Sequence, residues 1–170
     1  MVIKMKLNIL NHVKKRIKFK KFCKECVKLE VFRRNTIILK KTAEIIDVFR
    51  TFGNNGAINP SNALTAIIMN AAVVDGTYNN KKMRALFPFL IKAAGGEQEF
   101  HMLEVTYLNT AQGLEQLNTY SANLLKIIND RDKELEVDIL KLCILIMSTN
   151  GKVSRKERKH LIQQFHYLKT

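Results

Sequence analysis

Asn150-Gly151-Lys152-Val153-Ser154-Arg155-Lys156-Glu157-Arg158 is a helix stop followed at once by a helix start. An apolar run, Leu142 to Met147, precedes it, and Leu161, Phe165 and Leu168 follow at helical spacing. Gly151 can take the positive φ that a chain needs after a helix end. Val153 stands where a hydrophobic staple precedes a cap. Ser154 can accept from the orphan N–H groups of the next helix. The same punctuation occurs 75 residues earlier, in Asp75-Gly76-Thr77-Tyr78-Asn79-Asn80-Lys81-Lys82. At that offset Ile67 pairs with Leu142, Ile68 with Cys143, Ala71 with Ile146 and Leu86 with Leu161. Two matching corners with matching flanks point to an internal two-fold repeat of helices.

Working outward, Asn59-Pro60 reads as an N-cap followed by proline at the first helical position. That helix runs through Ala63, Ile67, Ile68, Ala71 and Val74 to the Asp75-Gly76 stop. The next carries Met83, Leu86, Phe87 and Leu90, is kinked at Pro88, and ends at Gly95-Gly96. Phe100 to Leu108 and Leu114 to Ile128 suggest two more helices. Asp130-Arg131-Asp132 opens another, through Leu135, Ile139, Leu142 and Ile146. Upstream, Thr36 to Phe52 is amphipathic, with Ile38, Ile45, Ile46, Phe49 and Phe52 on the expected buried face. Gly53-Asn54-Asn55-Gly56 breaks the chain, and a division falls there, into an extension over 1–52 and a domain over 53–170.

The first 34 residues are ambiguous. Ile3, Met5, Leu7 and Ile9 alternate as in a strand, but Ile3, Leu7, Leu10, Val13 and Ile17 also share a helical face. Helix is preferred, because no turn signal interrupts the lysine-rich continuation. A second stripe, Phe19, Phe22, Cys23, Cys26, Val27 and Val31, lies about 180° away on an ideal helix. Either a break falls near Ile17–Lys20, or one helix buries its two halves against different partners.

This all-α pattern with paired corners resembles the TerB-like family, which includes tellurite-resistance proteins and the N-terminal domain of certain DnaJ-like co-chaperones. The resemblance covers about residues 59–167 and rests on a helix, then D-G-x-(apolar)-(S/T/D)-x-x-E, then another helix, twice over. It implies a bundle of about seven helices, a role in chemical-stress response, and a divalent metal on the acidic motif residues. On this chain those positions are Asp75, Asn150 and Glu157. Lys82 replaces the expected glutamate of the first corner and Asn150 the expected aspartate of the second, so few oxygen ligands remain for a hard cation. Without a metal, Asp75 and Glu157 would cap and orient the two corners.

Of the formal net charge of +14, residues 1–41 carry +12, from 14 Lys/Arg against 2 Glu. Lys14, Lys15, Arg16, Lys18, Lys20, Lys21, Lys24 and Lys28 form a dense cluster, with Phe19 and Phe22 interleaved as membrane or partner contacts. Such a segment attracts polyanions. An anionic membrane surface is one expected target and a protein partner another. Nucleic acid, bound through residues 4–41, is the alternative. Lysine stems lying over the core around a solvated face would account for the same charges.

Other constellations are bland. Cys23-Lys24-Glu25-Cys26 lacks a second half-site for zinc and reads as two core cysteines on one helical face. Asp130, Asp132, Glu134 and Glu136 alternate without the glycine of a calcium loop and suit an acidic helix start. His12, His101, His160 and His166 are scattered, and no nucleophile motif or phosphate-binding glycine loop accompanies them. The expectation is a non-enzymatic binding module with no cofactor other than a divalent metal. Three cysteines, no signal-like apolar stretch and no apolar run long enough for a bilayer suggest a cytoplasmic protein, peripheral at the membrane.

Overall fold

A computed structural model describes residues 2–50, 60–74, 88, 91, 92 and 94–169 of the chain, with side chains from Val13 onward except at 49, 50, 60, 61 and 150. The described residues form seven α-helices: α1 (Val2–Val27), α2 (Val31–Arg50), α3 (Pro60–Ala72), α4 (Glu97–Tyr107), α5 (Ala111–Arg131), α6 (Lys133–Met147) and α7 (Arg155–Gln164). Short 3₁₀ turns follow α6 and α7, at Ser148–Asn150 and His166–Leu168. No strand occurs among the described residues. The expected all-α bundle is what the chain forms.

α3, and α6 over its second half, are apolar nearly all round and make the centre, as their composition requires. Every residue of α3 from Ala63 to Ala72 is buried, and α6 buries Leu135, Glu136, Ile139, Leu140 and all of Leu142 to Met147. α5 packs against both, α2 lies on α6 and α3, and α4 covers α5. α1 lies across α6 and both 3₁₀ turns, and α7 closes against α3 and α5.

The ends follow local rules. Thr110 caps α5 by accepting from Gly113 N at 2.9 Å, and a Cβ on Gly113 would come within 2.7 Å of the Tyr107 carbonyl. That α4–α5 corner therefore needs glycine. Asp132 caps α6 through two 3.0 Å bonds from Glu134 N and Leu135 N. Gly151 takes φ +83° after α6, and Ser154 and Glu157 form a reciprocal capping box on α7. Of the repeated corners, the second is thus built as its residues suggested. The first, Asp75 to Lys82, lies outside the described residues, as do the Gly53–Gly56 break and most of the helix expected around Pro88.

Some details differ from expectation. Of the two alternatives for α1, the continuous helix is the one that forms, with no break at Ile17–Lys20. Its second stripe faces the core through Phe19, Cys23 and Cys26, whereas Val13 and Ile17 of the first stripe are 50% and 62% exposed. Val31 leaves the stripe, because α1 ends at Val27 and Val31 opens α2 in a 65% exposed position. α2 starts five residues before the expected Thr36. Arg34 is the reason. It is buried, and its Nη2 donates to the carbonyls of Cys26, Val27 and Leu29 at 3.2, 3.3 and 2.9 Å. One guanidinium thus satisfies the open C-terminus of α1 and fixes the turn into α2. Residues on both sides of the division expected at 53 share one hydrophobic core, Phe19, Cys23, Ile38 and Ile45 with Leu64, Leu142 and Phe165.

Candidate functional site

α1 is a buried stripe backed by lysines. With Phe19 set at 0°, Cys23 and Cys26 fall within about 40° of it, and Ile17, Lys21, Lys24 and Lys28 at about 140–200°. The structure agrees: Phe19, Cys23 and Cys26 are 6%, 4% and 2% exposed, while Lys14, Lys18, Lys20, Lys21, Lys24 and Lys28 are exposed. Burial pushes the Cys23 thiol up to about 11 and, with Cys23 beside it, the Cys26 thiol to about 12, so both remain protonated core groups. Lys21 pairs with Glu25 at 4.0 Å on the surface, a contact worth little.

Not every residue of the expected basic cluster is on that face. Lys15 is half-buried with its ammonium 4.7 Å from the centre of the Tyr167 ring, which ties α1 to the last turn. Arg16 is also half-buried. Phe19 is core and so offers no free membrane or partner contact, while Phe22 packs half-buried against it. The exposed apolar groups are others: Val13 and Ile17 among the lysines, and Phe32, 79% exposed, just past the C-terminal end of α1. Phe32 carries no local signal in the sequence, because its place relative to the turn at Leu29–Glu30 depends on where α1 stops.

The metal set is not brought together among the described residues. Asp75 and Lys82 lie outside them, as does the side chain of Asn150. Glu157 is 1% exposed, and its Oε2 accepts from Ser154 N at 2.8 Å within the capping box. The acidic start of α6 divides likewise. Asp132 is the cap, whereas buried Glu136 accepts from His166 N and Tyr167 N and so anchors the C-terminal turn. Burial raises its pKa, against the pull of those two N–H bonds.

A polar cluster not foreseen from sequence joins α3, α5 and α7. Gln164 Nε2 lies 3.3 Å from the main-chain carbonyl of Asn118 and 3.0 Å from Asn118 Oδ1. A carbonyl only accepts, so Gln164 must present its NH₂ there, and Asn118 its oxygen. Asn70 then presents Nδ2 to Asn118 Oδ1 at 3.3 Å, and the same nitrogen lies 3.4 Å from His160 Nε2. His160 therefore accepts at Nε2 and carries its proton on Nδ1. Burial lowers its pKa to about 4, which keeps the ring neutral. One available signal was Asn70 itself: an asparagine inside the most apolar helix requires partners.

Compared with known proteins, the chain matches no family model, no curated protein and no solved structure at a significant level. Fold and surface define a class, an α-helical bundle carrying a basic outer helix. Among the described residues no helix is long and apolar enough to cross a membrane.

Proposed function

We propose that the protein is a non-enzymatic, TerB-like helical binding module in a stress-response system, which docks on an anionic membrane surface through the outer face of α1. The observation that carries the reading is the division of α1. Phe19, Cys23 and Cys26 hold it to the bundle, while six lysines face solvent with Val13 and Ile17 among them. A lysine near an anionic leaflet contributes about 1 kcal/mol, so six supply a substantial, salt-sensitive attraction. Ile17 and Val13 give that face apolar groups able to enter the headgroup boundary. A phosphate backbone would use the lysines alone.

The test uses the full chain. Co-sedimentation is measured with phosphatidylcholine vesicles, with vesicles containing phosphatidylserine, and with short duplex DNA, each at low and high salt. Wild type is expected on the anionic vesicles only and is released by salt. Lys21→Glu/Lys24→Glu should abolish binding, and Ile17→Ser should weaken it at unchanged charge. Binding to DNA with indifference to Ile17→Ser moves the assignment to nucleic acid. Binding to neither leaves this face to a protein partner and overturns the membrane reading.

A further inference from the structure

The polar cluster opens into a pocket of about 360 Å³ between α3, α5 and α7, remote in sequence from α1. Three kinds of group line it. Lys156 and Lys159 are exposed and stand three residues apart on α7, so they share a face. Asn70, Asn118, Gln163 and His160 supply carboxamides and a neutral imidazole. Val73, Val74 and Leu114 form an aliphatic wall. No carboxylate lines the pocket among the described residues.

From this lining we infer a binding site for a nucleoside monophosphate. A metal cation is disfavoured by two ammonium groups and no anionic ligand. A plain acyl chain would cover the Gln163 carboxamide and the two ammonium groups without giving them partners. Inorganic phosphate would engage the lysines and leave most of the volume empty. A mononucleotide answers all three kinds of group. Its phosphate faces Lys156 and Lys159. Its base edge offers the mixed donors and acceptors that asparagine and glutamine side chains pair with. Its base plane covers Val73, Val74 and Leu114. The volume lies within the range of small-molecule sites. Asn70 is 4% exposed and held from two sides, by Asn118 and His160, so the inner wall is preorganised.

The experiment is a calorimetric titration of the full chain with AMP, GMP, CMP and UMP, alongside adenosine, ribose 5-phosphate and inorganic phosphate. At least one nucleotide should bind tighter than ribose 5-phosphate and tighter than its free nucleoside. Lys156→Glu/Lys159→Glu should weaken it by at least about tenfold, and Gln163→Glu should weaken it with no change in unfolding midpoint. Lys126→Glu, away from the pocket, should leave it unchanged. Three results overturn the assignment: no nucleotide binds at millimolar concentration, phosphate alone binds as well as the nucleotides, or the lysine variants bind like wild type while folded by circular dichroism.

Discussion

Phe19 and Phe32 occupy opposite environments, one 6% and the other 79% exposed. Truncating them should separate stability from surface binding. Phe19→Ala leaves a cavity against α6 and should cost about 3–4 kcal/mol in urea unfolding. Phe32→Ala should shift stability by less than about 0.5 kcal/mol while lowering anionic-vesicle binding. His160 gives a pH signature. Its folded pKa of about 4 lies below the ordinary 6.5, so the unfolded chain takes the proton first. Its contribution is complete above about pH 6.5, is lost as pH falls from there to about 4, and levels off below. The loss is roughly 3 kcal/mol by linkage. His160→Gln keeps an acceptor for Asn70 without the titration. The gap in stability between wild type and this variant should therefore change across pH 6.5 to 4 and be flat above.

At the scale of elements, α1 and α2 are joined by one side chain. Arg34→Met removes the donor to three carbonyls at the end of α1 and should cost about 2–3 kcal/mol, since bonds from a charged donor exceed neutral ones. Exposed Arg33→Met should be near neutral in the same denaturation series. The adjacent arginines look alike in sequence, and both belong to the basic stretch over 4–41. Which of the two turns inward depends on where α1 ends and on the phase of α2. The α6–α7 corner is the opposite case, because Gly151, Ser154 and Glu157 act within a few residues of one another. The roles of Gly151 and Ser154 were legible from spacing alone, and for Glu157 the cap was one of two readings, beside metal binding.

For the whole molecule, the single core shared by α1, α2 and the later helices predicts one cooperative unfolding transition. Thermal unfolding followed by far-ultraviolet circular dichroism should show one step, and removing residues 1–41 should destabilise the rest, because it uncovers Leu140 and Ile144 on α6. A separately melting α1 and α2 would contradict this. The slowest-exchanging amides should lie in α3 and α6, whose residues are the most completely buried. Lys41, 3.1 Å from Asp138, adds a surface clamp between α2 and α6, though such a pair contributes at most about 1 kcal/mol.

Helical class, the caps at Asp132 and Ser154 and the concentration of charge in the first 41 residues were determined by the sequence itself, because each depends on neighbours within a turn or two. Tertiary structure alone decided which stripe of α1 is buried, which arginine is structural, and that Asn70, Asn118, His160 and Gln164 meet. The polar cluster depends on contacts between residues 46 to 90 apart in sequence, whereas Arg34 reaches carbonyls five to eight residues away and depends on where α1 ends. An amphipathic period marks that a face will be buried, but only the partner helix selects between two candidate faces.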